Sequence, residues 1–441
     1  MHWSTRIMIG SATALLAIAS GSAGWATRAL APNTDLPERI TAILPDWESL
    51  EDLRQIRDRF QTQMTQTGAA PRYLPMAGAL LTPNEQQQLL QSIDTHIHVE
   101  SLAQQTWDDA LDTARRAVKL GKKKGLDTEE LGEIDGLWRE AIAKLARIPE
   151  DSLLGEAAQD KQVEYAPNLA EIAYRYDTAR SDFLVPIAET AGLGTGRVRI
   201  TICHIETREC RRLNGKKPPD SPASLIKLPI GVAVMQKVID EGVDLDQPIL
   251  VDRHNYTEDA SDVRVGVEYP MRRVLRRMIN DSSNIATNQM LDFVGFDYTN
   301  EVLSDRGYKS TFVGHKLVGE TTFPKDFGKK GTNRTTTDEI TEMMVQIYNF
   351  ENEGDDVLLD SLVEQWDWKL GYAGLKQAEG DVFWIGEKTG QNSKVLGTTV
   401  AAKINDQRYV ITVTLDRSAH EAAVRRIVKE IAEHIAENDG F

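Results

Sequence analysis

The chain has 441 residues and a formal charge of -16. That length supplies a large buried core without disulfide staples. The excess of carboxylates repels phosphate backbones and anionic lipid headgroups, which argues against a nucleic-acid or membrane-surface role.

Met1 to Arg6 carries one Arg, and Ile7 to Ala26 is almost uncharged and rich in Ala, Leu and Ile, the pattern of an export signal. Ala29-Leu30-Ala31 offers a small-residue cleavage site. The apolar run of about 20 residues also suffices for an uncleaved membrane anchor, so residues 1–31 are set apart with both outcomes open. Residues 32–180 carry helical periodicity and few strand signals. Trp107, Ala110, Leu111, Ala114, Ala117 and Val118 recur at the spacing of one apolar helix face. Leu131, Ile134, Leu137, Trp138, Ala141, Ile142 and Leu145 repeat the pattern after the break at Gly121 to Gly125, which predicts an antiparallel helical hairpin serving as a packing or spacer module. His96, His98 and Glu100 would share a face on a strand and resemble a metal site; within the helical stretch Gln86 to Thr106 they diverge, so no metal is expected.

From about Ser181 the pattern changes to mixed helix and strand. Gly192 to Gly196 marks a turn into a strand, Val198 to His204, and no Lys-Ser/Thr pair closes that glycine run into a phosphate loop. Cys203 and Cys210 flank a hairpin turning at Glu206-Thr207, which places the thiols opposite each other; a disulfide and two separate thiols both remain open. Near the C-terminus, Val382 to Glu387, Thr398 to Ile404 and Tyr409 to Leu415 read as strands, and Ala419 to Ala436 as an amphipathic helix.

Chemistry concentrates where Pro218-Pro219-Asp220-Ser221-Pro222 gives way to Ser224-Leu225-Ile226-Lys227 and an apolar run. A helix starting near Ser224 presents amide groups without intrahelical partners, a setting that favours a developing oxyanion. Three residues apart, Ser224 and Lys227 share a face, so a neutral Lys227 can take the hydroxyl proton. Ser282-Ser283-Asn284 is the only Ser-x-Asn, and Lys388-Thr389-Gly390, at the end of a predicted strand, is the only Lys-Thr-Gly.

With those three signatures in that order, the stretch from about Ser181 to Phe441 resembles the class A β-lactamases and, more broadly, the penicillin-binding proteins. The resemblance implies an α+β fold, an antiparallel sheet flanked by helices plus an all-helical subdomain, preceded here by the helical N-terminal region. It makes Ser224 the acylated nucleophile, Lys227 its proton partner and Ser282 a relay to the leaving nitrogen. Asn284 would hold the acyl side chain, Lys388 and Thr389 the substrate carboxylate, and the amides of Ser224 and of Gln391, which follows Gly390, the oxyanion. Lys394 is a candidate for a second carboxylate contact. Two departures stand out. Ser283 occupies the place of an Asp, and no Glu-x-x-Leu-Asn segment supplies a deacylation carboxylate; within His315 to Thr337, Glu320 is the candidate. The expected protein is thus exported or membrane-anchored, with domains at 32–180 and 181–441, and needs no cofactor. Its expected partner is a small β-lactam or a peptidoglycan peptide. The expected reaction is β-lactam hydrolysis through a Ser224 acyl-enzyme. The alternatives are a D-alanyl-D-alanine peptidase or slowly deacylating penicillin-binding protein, and a non-catalytic cell-wall scaffold.

Overall fold

The computed structural model describes residues 47–67, 82–259, 261–328, 330–417 and 420–441, and the export signal expected at 1–31 lies outside them. The described residues fall into two compact units, one within 1–126 with 133–171 and one within 127–132 with 172–441. Helices α1 (Leu50–Thr67), α2 (Pro83–Gly121), α3 (Thr128–Leu145) and α4 (Gly155–Ala179) fill the N-terminal part of the chain. The α2 helix starts with a capping box, in which Thr82 accepts from the Glu85 amide and Glu85 accepts from the Thr82 amide. Of the first apolar stripe, Ala110, Ala114 and Ala117 are buried while Val118 is exposed, so the face rotates toward the alanines. The second stripe buries Leu131, Ile134, Leu137, Trp138, Ala141 and Leu145, and the chain breaks between the two helices where the glycines predict it.

His96, His98 and Glu100 lie inside α2. The His96 ring packs edge-on against Trp47 and its Nδ1 contacts the Ser92 carbonyl at 2.8 Å, whereas the Glu100 carboxylate accepts from the Leu153 amide at 3.1 Å. His96 therefore serves packing and Glu100 binds a backbone amide, while His98 is exposed. Among the described residues no cluster of His, Cys, Asp or Glu could hold a metal, and no helix is long and apolar enough to cross a membrane.

The second unit is built on a five-stranded antiparallel sheet in the order β2-β1-β7-β6-β5, with β1 (Val198–His204), β2 (Cys210–Leu213), β5 (Val382–Gln391), β6 (Val395–Ile404) and β7 (Gln407–Asp416). A two-stranded ribbon, β3 (Pro248–Leu250) with β4 (Glu268–Pro270), lies apart from it. Alternation sorts the side chains to two faces. Ile200, Ile202, Leu396, Val400, Ile411 and Val413 join the core under the C-terminal helix Glu421–Asn438. The opposite face carries Thr399 and Thr412, whose hydroxyls bond each other at 2.8 Å, and Thr341 of the helix Thr337–Tyr348 donates to Thr412 at 2.7 Å. That face meets a separate apolar core shared with the helices Lys227–Glu241, Met271–Ile279 and Asn284–Val294.

Cys203 and Cys210 are direct partners across β1 and β2 and form a disulfide. It closes a short loop, so its loss is expected to cost about 2 kcal/mol. The Cys203→Ser/Cys210→Ser protein should melt about 4–8 °C below the parent in calorimetry, and dithiothreitol should lower the parent's Tm equally.

Candidate active site

Ser224 sits in a 3-10 turn, Ala223–Ile226, that runs directly into the helix Lys227–Glu241. In 3-10 geometry residues three apart eclipse, and Lys227, the first residue of the helix, is three residues on from Ser224. Pro222 precedes the turn, and Ala223 takes a left-handed φ of 45° that presents the next residue. Ser224 is half-buried, and its hydroxyl makes no hydrogen bond to another described residue. Lys227 is fully buried. Its Nζ donates to the Ser282 carbonyl, to Ser282 Oγ at 3.1 Å and to Asn284 Oδ1 at 2.8 Å.

Lys388, also fully buried, closes the arrangement: its Nζ donates to the same Ser282 Oγ at 3.0 Å and to the Thr389 carbonyl at 2.8 Å. One hydroxyl thus bridges two amines. Burial, reinforced by Lys388, holds the Lys227 amine well below the usual lysine range, against the pull of the Asp259 carboxylate. Burial also brings Lys388 down to about 7, although Asp367 and Glu387 favour its charged form.

The Lys-Thr-Gly signature lies inside β5, not at its end, because pairing with β6 continues through Gly390↔Gly397 to Gln391↔Leu396. β5 is an edge strand, and the Ser224 turn packs against it at Gly390. A side chain at Gly390 would place its Cβ 3.2 Å from the Ser224 amide nitrogen and 3.0 Å from that of Leu225, so only glycine lets the two backbones approach this closely.

Ser224 and Gln391 line two adjoining clefts. The larger, about 510 Å³, also includes Asn284, His315, Leu317, Val318 and Lys394; the smaller, about 220 Å³, includes Asp281, Ser282, Trp366, Asp367 and Thr389. Glu320 lines neither and its side chain is exposed. Its backbone N–H donates to the Glu258 carboxylate, which also accepts from the amides and hydroxyls of Thr321 and Thr322. On the wall that carries Val318, His315 is stacked on Phe327, and its Nδ1 lies 2.8 Å from the Lys316 carbonyl.

Several residues of this region carry no sequence motif. Thr389 Oγ1 donates to Asp367 at 3.1 Å. Glu387, buried beside Lys388, accepts from the Gly371 and Tyr372 amides and the Thr398 hydroxyl, and its burial pushes the carboxyl upward. An acidic residue in an otherwise apolar strand was the one available signal for Glu387. Asp259 and Trp366 come from irregular segments where no periodicity marks them.

The sheet, the helices over both faces and the serine-lysine turn at the sheet edge define a β-lactamase/transpeptidase-like serine hydrolase fold. Residues 187–438 match the model of the Beta-lactamase enzyme family, and the chain belongs to that family. Among solved structures it is similar to a β-lactamase from Sphaerobacter thermophilus DSM 20745, with 22% identity over 58% of this chain and 95% of that chain and a TM-score of 0.49. PBP-A gives 21% identity over 58% and 96%, with a TM-score of 0.48. The TLA-1 extended spectrum β-lactamase gives 18% over 58% and 99%, with a TM-score of 0.50. No curated protein matches the chain.

Proposed function

We propose that this protein is an exported serine hydrolase that opens β-lactams and related peptidoglycan amides through an acyl-enzyme on Ser224, and that it releases the acyl group slowly. The observation that carries the reading is the fully buried Lys227 amine one 3-10 turn from Ser224, sharing the Ser282 hydroxyl with Lys388. Burial and the neighbouring Lys388 favour the neutral form of Lys227. In that form two N–H groups keep the Ser282 carbonyl and Asn284 Oδ1, and the lone pair, no longer donating to Ser282 Oγ, accepts the Ser224 proton as Oγ attacks the carbonyl carbon. The Ser224 and Gln391 amides stabilise the oxyanion, each donor contributing about 3 kcal/mol. As the C–N bond breaks, Ser282 passes its proton to the leaving nitrogen and is reprotonated from Lys227 or Lys388. Asn284 holds the acyl side chain in the larger cleft, and Lys388 with Thr389 binds the substrate carboxylate.

Slow release follows from the wall facing the ester. Leu317, Val318 and Gly319 line the cleft, His315 is held by Phe327 and the Lys316 carbonyl, and Glu320 points elsewhere. The disulfide fits an oxidising compartment. β-Lactam hydrolysis with rapid turnover is the second reading, favoured by the family match.

Intact-mass spectrometry after exposure to benzylpenicillin tests both. The expected result is one adduct, mapped to the Ser224 peptide, lasting for hours, and absent from Ser224→Ala. No adduct and no hydrolysis from folded protein would defeat the serine hydrolase reading. Steady turnover of a chromogenic cephalosporin would retain acylation but select the second reading.

A further inference from the structure

Ser282-Ser283-Asn284 forms a turn held under strain: Ser282, whose hydroxyl both lysines share, has a φ of 58°. A non-glycine residue in that region persists only where its surroundings fix it. Ser283 caps the following helix by accepting from the Ala286 amide, which leaves its one proton for another partner. That partner is Asp259. Its Oδ2 accepts from the Ser283 hydroxyl and from Ser261 Oγ at 2.9 Å, and its Oδ1 accepts from the Asn284 amide at 3.1 Å. One carboxylate therefore grips the turn at two consecutive residues.

Asp259 is itself delivered by an anchored segment. The Asp252 amide and Asn255 Nδ2 donate to Gln289, and Asn255 also donates to Asp292 at 2.7 Å, all on the helix Asn284–Val294. The buried Lys316 donates to Asn255 Oδ1 at 2.7 Å, and Thr257 and Glu258 grip residues 319–322. At Gly319 an added Cβ would fall 2.2 Å from the Glu258 carbonyl oxygen, which shows how closely the two segments run.

We propose that Asp259 is a positioning residue for acylation: from a separate segment it supplies the carboxylate that the neutral Ser283 lacks, and so holds the Ser282 hydroxyl and the Asn284 carbonyl on the Lys227 amine. This deepens the reading of Ser224 as nucleophile and rests on it. The charges facing Lys227 are Lys388 from β5 and Asp259 from its segment; Asp281, on the gripped turn, also faces Asp259.

The test measures the rate constant for benzylpenicillin adduct formation from pH 5 to 10 in the full chain. Wild type is run first, and failure to acylate would remove the underlying reading before any variant is compared. Asp259→Asn is expected to slow acylation about 10- to 100-fold, through displacement of the turn. Its acid limb should move to lower pH, because the lost negative charge favoured protonated Lys227. A second variant, Asp259→Ser with Ser283→Asp, returns a carboxylate to the turn and should recover at least about tenfold of the lost rate. Asp259→Asn acylating at the wild-type rate, or slowing with its acid limb unmoved, would overturn the proposal. Failure of the double variant to recover rate would do the same, and it decides the matter if Asp259→Asn does not fold.

Discussion

Lys227→Met is expected to slow acylation of Ser224 by benzylpenicillin about a thousandfold, the scale of a lost general base, in a protein that still folds. Methionine fills a similar volume in a pocket sealed from solvent. Three acceptors, the Ser282 carbonyl and hydroxyl and Asn284 Oδ1, lose a donor, so the sign of the net stability change does not identify the lysine's protonation state. The pH dependence of stability does. Lys227 has a folded-state pKa well below its unfolded value, so from that lowered pKa up to the unfolded lysine value of about 10.4 the unfolded chain binds a proton there that the folded chain does not. Stability attributable to this group therefore rises with pH across that window, at about 1.4 kcal/mol per pH unit, and levels off once the unfolded lysine also deprotonates. Urea unfolding at several pH values should show wild type gaining that slope relative to Lys227→Met. Equal slopes would mean that Lys227 is charged in the folded protein, and the base would have to be sought elsewhere.

That lysine also shows what the sequence could and could not disclose. The positions of Ser224, Lys227, Ser282, Asn284, Lys388 and Thr389 were readable because three rare signatures occur in order. The strand Val198–His204 was readable from the glycine-rich turn that precedes it, and the C-terminal helix from its amphipathic patterning. Burial was not readable. A Lys in the first turn of a helix is ordinarily solvated, and only the convergence of the 270–284 segment and β5 shuts water away from Lys227. The 3-10 turn at Ser224 was likewise hidden, since it reflects packing of Gly390 against the Ser224 and Leu225 amides across more than 160 residues of chain. The disulfide stayed open because facing thiols and bonded thiols have the same sequence. Asp259 was missed because irregular segments carry no periodicity, and its function exists only through Ser283 and Asn284, residues distant from it in the chain.

Val318→Glu is expected to shorten the lifetime of the benzylpenicillin adduct about a hundredfold, the scale of a positioned general base acting on water, while Glu320→Gln leaves the lifetime unchanged. Val318 shares the cleft wall with Ser224 and Asn284, so a carboxylate there can meet a water approaching the ester. Glu320 is two residues further along, where Glu258 takes hold of the backbone through the amides of Glu320 and Thr321. Four hydrogen-bonding groups of Thr321 and Thr322 fix that stretch on Glu258. Turning Glu320 inward would break this set, and the loss of several charge-assisted bonds exceeds what one water contact returns. The measurement is decay of the intact-mass adduct after removal of free penicillin. If Glu320→Gln prolongs the adduct and Val318→Glu does not shorten it, the loop must rearrange in the acyl-enzyme to bring Glu320 to the ester, and slow release would no longer follow from this wall.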